Sequence, residues 1–136
     1  MKSSQFNLPT TFLVFTIYYS CSLVQCIQFT VLINNELTAN LGAHCIIMGF
    51  DDGTLPIPQG TKGSFPVNFG DPKQEAIASF ALTAQTSEGV HGTFVLFDNN
   101  RDSQRCENNI CEWHVKNDGL YLNIQGNQVL QFKWSS

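Results

Sequence analysis

The sequence predicts an all-β protein: a small antiparallel β-sandwich stabilised by a disulfide. Short apolar segments alternate with polar residues and are separated by turn residues at close intervals. Charged residues make up 13% of the chain against roughly 25% in ordinary soluble domains, and eleven phenylalanines are present. A surface short of Glu and Lys suits half-buried strands better than helix bundles, and aromatic rings pack well on strands. Cysteines follow an apolar N-terminal stretch, as in small secreted domains.

The elements follow in chain order. Phe29 to Ile33 is β-branched and aromatic, and Asn34-Asn35 stops it. Leu41 to Met48 is a second apolar stretch, followed by Asp51-Asp52-Gly53, read as a solvated acidic turn. Phe65, Val67 and Phe69 share one face of Ser64 to Phe69. Pro66 cannot donate a ladder hydrogen bond, which assigns that strand to an edge or a bulge. Ala76 to Ala84 reads as a strand because Ala78, Phe80 and Leu82 alternate with more polar neighbours. Thr93 to Phe97 is a further strand. Ile110 to Lys116 puts Cys111, Trp113 and Val115 on one side, which makes Trp113 a core residue. Asn117-Asp118-Gly119 is a turn, Leu120 to Ile124 returns, Gly126-Asn127 turns again, and Val129 to Phe132 closes the chain. No 3.6-residue period, repeat or linker interrupts this run, so residues 27–136 form one domain.

Residues 1–26 read as a cleavable signal peptide. Lys2 gives a positive start, Phe12 to Tyr19 opens an apolar region, and small residues precede Ile27, with Ser22 as the alternative cleavage point. The apolar stretch is shorter than the ~20 residues that span a bilayer. A secreted, extracellular protein follows as the expectation, with no membrane insertion after cleavage. Cys45, Cys106 and Cys111 then remain. Pairing Cys45 with either of the others closes a long loop worth roughly 4 kcal/mol, while Cys106 with Cys111 closes a short one worth less. The inward phase of Cys111 favours Cys45–Cys111. The odd cysteine is available for a disulfide-linked dimer.

The net charge is −4, and Lys62, Lys73, Arg101, Arg105, Lys116 and Lys133 are scattered. No basic stripe exists for phosphate binding, so nucleic acid is not expected as a partner. His44, His91 and His114 show no metal spacing, and no nucleophile elbow is present. No catalytic, metal or cofactor site is therefore expected. His44, beside Cys45, is read as a structural core residue. Asp51 and Asp52 lack the ligand count of a calcium loop. The loop bearing Asp51 and Asp52, and the segment Asn99 to Asn109 with Asn99, Asn100, Arg101 and Asp102, are polar and turn-rich. They are the expected recognition surfaces, because binding chemistry on a rigid sandwich sits in loops.

From Phe29 to Leu122 the chain resembles the plant self-incompatibility S-protein family. Val31-Leu32-Ile33-Asn34-Asn35, His44-Cys45, Asp51-Asp52-Gly53, the Phe65/Phe69 strand, Phe94 to Asp98 with Arg101-Asp102, and Cys106, Cys111-Glu112-Trp113 and Gly119-Leu120 carry the resemblance in order. The family pattern has four cysteines, the second in the strand occupied here by Phe80-Ala81-Leu82, so one family disulfide cannot form. The resemblance implies a secreted, non-enzymatic β-sandwich that acts as a recognition or signalling ligand for a cell-surface protein receptor. The alternative is a secreted carbohydrate-binding or defence-related binding module, which exposed aromatics in a row would support.

Overall fold

A computed structural model describes residues 26–70, 74, 77–87, 89 and 91–134. The expected signal peptide lies outside the described residues except for Cys26.

Two sheets form the molecule. One has five strands in the order β4-β1-β7-β8-β9 and the other has four in the order β3-β2-β5-β6. Their spans are β1 Ile27–Asn35, β2 Leu41–Ile47, β3 Phe50–Ile57, β4 Lys62–Phe69, β5 Ser79–Thr86, β6 His91–Asp98, β7 Ile110–Lys116, β8 Gly119–Ile124 and β9 Asn127–Lys133. A one-turn helix, α1 (Asn99–Asp102), and a 3-10 turn at Glu107–Asn109 link β6 to β7. Pairing is antiparallel except between β1 and β7, which run parallel with Val31 opposite Cys111 and Ile33 opposite Trp113. β4 is an edge strand, as Pro66 requires.

The alternation read from sequence packs the space between the sheets. Phe29, Val31 and Ile33 of β1, Phe65, Val67 and Phe69 of β4, and Cys111, Trp113 and Val115 of β7 are all buried. Leu41, Ala43 and Cys45 of β2 meet them from the other sheet with Phe80, Leu82 and Ala84 of β5. The aromatic rings cluster: Phe29 lies 4.7 Å from Phe97, and Phe65 lies 5.3 Å from Phe80, between ring centroids. Such pairs add about 0.5–1.5 kcal/mol beyond burial.

Four sequence expectations are corrected here. Asp51 and Asp52 do not form a protruding turn; they belong to strand β3, the edge of the four-stranded sheet. The turn lies earlier, at Met48-Gly49, where both residues have positive φ (55° and 81°) between paired Ile47 and Phe50. That is the mirror-image turn that tight hairpins favour. The ladder then shifts register between His44 and Ile46, where Gly53 takes φ 84°, so Asp-Asp-Gly makes a bulge.

The second correction concerns the cysteines. Cys106 is bonded to Cys111, with Cα atoms 4.8 Å apart. Cys45 is a free, buried thiol. It stands in the sheet opposite Cys111, and facing sheets ordinarily lie about 10 Å apart, beyond the roughly 7 Å limit on Cα separation for a disulfide. Cys111 points inward, as its phase implies, and its partner comes from the preceding turn. Third, Cys45 is 2% exposed, so a dimer bonded through this odd cysteine is not compatible with the folded sandwich. Fourth, His44 is not a core residue: it points to the outer face of its sheet, with its side chain 37% exposed.

The Cys106–Cys111 bond spans five positions. In the chain-entropy description so short a loop contributes about 2 kcal/mol. Replacing both cysteines by serine is expected to lower unfolding free energy by that amount in urea titration. A loss near 4 kcal/mol would point instead to a long-loop partner.

Candidate functional site

Two surfaces concentrate exposed chemistry, and a third, expected from sequence, is partly turned inward. That third surface is the segment after β6, where Asn100 and Glu107 to Asn109 are exposed but Asp102 is not. Asp98 caps α1, its carboxylate accepting from the backbone N–H groups of Asn100 (2.9 Å) and Arg101 (3.3 Å). Capping turns the chain back onto the sandwich and carries Asp102 inward until it is fully buried. There Asp102 accepts from Arg101 Nη2 at 2.7 Å, from Arg105 Nη2 at 2.6 Å and from the Asp98 backbone N–H at 2.9 Å. Asp102 is thus removed from the expected recognition surface, and Arg101 serves structure. Asn99 is half-buried and Asn100 remains exposed. Arg105, which sequence reading passed over, is the second jaw of the clamp; its signal was the Arg101-Asp102 pair followed three positions on by another arginine.

The first exposed surface is the tip of the β2–β3 hairpin. Phe50 is 76% exposed. With Ile47, Met48, Pro66 and Ile77 it borders an open depression of about 480 Å3, and Asp52 supplies charge at the rim. Asp51-Asp52-Gly53 marks this hairpin in the sequence, while Phe50 carries no local signal of its exposure.

The second is the outer face of the four-stranded sheet. His44 Nε2 lies 3.0 Å from Asp51 Oδ1, and His44 Nδ1 lies 3.1 Å from Thr54 Oγ1. The N–H of Gly53 donates to Asp51 Oδ1 at 2.8 Å. That bond first, and His44 beside it, hold the Asp51 carboxyl below the usual carboxylate range. An acid–imidazole–hydroxyl relay has the residue types of a nucleophilic triad. Here, however, the Asp51 side chain is 63% exposed. Water screens its charge and dilutes the field on which a triad depends.

Beneath the hairpin, burial pushes the Cys45 thiol up from 9.0 to about 11, and the charge of Asp52 adds to the rise. The unfolded chain loses this proton near pH 9 while the folded chain keeps it. Stability from this group is therefore intact below pH 9 and is lost as pH rises towards 11. The loss amounts to about 2–3 kcal/mol. Denaturation at pH 8 and pH 11 with Cys45→Ala as reference should show that difference in the parent only. An alkaline loss equal in both proteins would remove Cys45 as its cause.

The remaining histidines hold local structure. His91 Nδ1 lies 2.9 Å from Gly89 O. His114 Nδ1 bonds Glu36, while its Nε2 lies 3.4 Å from Glu112 Oε2. Among the described residues no group of His, Cys, Asp and Glu is arranged to hold a metal ion. No helix there is long and apolar enough to cross a membrane.

Comparison with known proteins agrees with this architecture. No curated protein matches the chain. A solved structure described as "Structure of SPH (Self-Incompatibility Protein Homologue) proteins, a widespread family of small, highly stable, secreted proteins from plants" matches with a TM-score of 0.56 at 16% identity. That match covers 82% of this chain and 97% of the other, and at such identity it shows a shared fold. The model of the family described as plant self-incompatibility protein S1 matches residues 30–134, from the first strand through Trp134, and the chain belongs to that family.

Proposed function

We propose that this protein is a secreted, non-enzymatic recognition ligand for a protein receptor at a cell surface, released by removal of residues 1–26. The observation that carries the reading is Phe50. A large aromatic side chain 76% exposed at a hairpin tip has no use within its own fold. Exposed aromatics set in an apolar patch with a polar rim are the usual anchors of protein interfaces. The patch is held on a rigid sandwich, which limits the ordering cost of binding. Secretion is supported by the signal-like N-terminus and by the description of the structurally similar protein as secreted. The exposure of the Asp51–His44–Thr54 relay favours a binding role over catalysis. A lectin that stacks sugars on a row of exposed rings is not favoured, since Phe50 is the lone aromatic among the large exposed hydrophobics of the described residues.

The test is binding of labelled protein to intact plant cells, with and without protease treatment of the cells. Phe50→Ala is expected to weaken protease-sensitive binding by at least about tenfold, in the range of an interface hot spot. Its melting temperature should not move, because an exposed side chain contributes little to stability. Unchanged binding by the variant would remove the hairpin tip as the anchor.

A further inference from the structure

The outer face of the four-stranded sheet carries a feature the hairpin tip does not explain. Thr54, His44, Thr83 and Thr93 form one cross-strand row over β3, β2, β5 and β6, and Gly42 and Gln85 are paired in the next. Over them lies an open depression of about 650 Å3. A second of about 390 Å3 adjoins it and shares Thr83 and Gln85. Both volumes fall in the range of roughly 300–1,000 Å3 typical of ligand sites.

Gly42 floors the depression, and its presence is unexplained by the fold. A glycine inside a strand weakens it and marks a bulge, a bend or the close approach of a ligand or another backbone. Gly42 has no positive φ. Its register to both neighbouring strands is regular. A Cβ added there would meet one atom, the backbone Gln85 O at 3.4 Å, at the near limit of ordinary contact. Apart from Gly53, which its positive φ explains, the other strand-interior glycines differ. At Gly92 a Cβ would fall 2.3 Å from the Phe94 ring, and at Gly63 it would fall 2.9 Å from the Phe65 ring. Those two make room for their own core; Gly42 leaves room above the sheet.

The lining says what would use that room. No carboxylate, ammonium or guanidinium lines either depression. The groups present are hydroxyls, carboxamides and imidazole, and several are held in place. The Asp51 carboxylate can only accept, so the Nε2–H of His44 donates to it. Nδ1 pairs with the Thr54 hydroxyl, which lines the depression. Thr83 and Thr93 share a hydroxyl–hydroxyl bond of 3.1 Å, which leaves one hydroxyl proton and further lone pairs unused. Ile46, 36% exposed, adds apolar surface at the edge. This is a neutral set of paired donors and acceptors beside a small apolar area. It matches the hydroxyls and C–H faces of a sugar held by hydrogen bonds rather than by ring stacking, and lacks an Arg anchor.

We propose that this face binds a neutral, hydroxyl-rich ligand, a segment of glycan chain laid over Gly42. The site is separate from the Phe50 patch, and each can fail without the other. The test is a 15N–1H titration of the secreted protein with cellohexaose, xylohexaose and mannohexaose, each to millimolar concentration. At least one should shift the amides of Gly42, Thr83 and Gln85. Gly42→Val should weaken that binding at least about tenfold while melting close to the parent, since valine suits a strand and an added Cβ meets only Gln85 O. Phe50→Ala should leave saccharide binding unchanged. No response of these amides to any of the three sugars would overturn the proposal, as would a response that Gly42→Val leaves intact. Loss of cell binding in Gly42→Val without any saccharide response would assign the face to a protein and overturn it equally.

Discussion

Asp102→Ala is expected to lower the free energy of unfolding by about 3–5 kcal/mol, the cost of breaking a buried ion pair by removing one partner. The carboxylate is fully buried, while the Arg101 and Arg105 side chains are 34% and 26% exposed. Their Nε and Nη2 groups converge on it, with Arg101 Nε at 2.9 Å from Oδ1 and Arg105 Nε also at 2.9 Å. Removing the acid leaves two guanidinium groups partly out of water with no counter-charge, and leaves the Asp98 N–H without its acceptor. The consequence spreads because each arginine also ties a sheet edge. Arg101 Nη2 donates to Val95 O of β6 at 2.8 Å, and Arg105 Nη1 donates to Gln131 Oε1 of β9 at 2.9 Å. A loss of this size is a large part of the 5–15 kcal/mol typical of small domains. Urea denaturation measures it, and Asp102→Asn, which keeps an acceptor but no charge, should fall between parent and alanine variant. A cost below about 1 kcal/mol for Asp102→Ala would mean that the clamp is replaced by water. The clamp also engages one backbone carbonyl of an edge strand, Val95 O, which makes that edge less available to other strands.

The sequence was legible where one physical rule dominated and opaque where two rules competed. Alternation over β1, β4 and β7 placed Phe29, Phe65 and Trp113 inside, because a half-buried strand leaves only one face for apolar side chains. β3 was missed because its pattern is not one of alternation: it is exposed at every position before Ile57. Its turn uses Met48-Gly49, which carries a weaker signal than the Asp51-Asp52-Gly53 run a few residues later. That stronger signal belonged to a bulge, and bulges and turns both recruit glycine at positive φ. A similar one-residue displacement occurred at the last hairpin, where Gln125 and Gly126 make the turn with φ 52° and 83° before β9 begins at Asn127. The parallel pairing of β1 with β7 had no local signature, since it joins residues some eighty positions apart. The disulfide was misassigned for a related reason: loop entropy ranks pairings by the stability they would bring, while the fold decides which sulfurs meet. Asp102 was read as a loop residue because its burial depends on two arginines arriving from either side, which composition does not reveal.

Trp113→Ala is expected to cost about 3–5 kcal/mol, as for other buried aromatic truncations. Trp113 is fully buried and stacks on Phe132 at 5.9 Å between ring centroids. Burial alone does not explain why tryptophan stands there. β6 shifts register where Phe80 pairs with Phe97 and Ala81 pairs with Val95, so Leu96 has no cross-strand partner. The Trp113 indole N–H reaches across from the other sheet and donates to the Leu96 carbonyl at 2.9 Å. An unpaired buried carbonyl would cost about 1–3 kcal/mol. Trp113→Phe separates the two contributions: it keeps most of the apolar ring and removes the donor. Urea titration of both variants is expected to give about 1–3 kcal/mol for phenylalanine and the full loss for alanine. Equal losses would make the bulge carbonyl the dominant contribution. A negligible loss for phenylalanine would show that Leu96 finds another donor, and that burial of the ring rather than its N–H sets the contribution of this position.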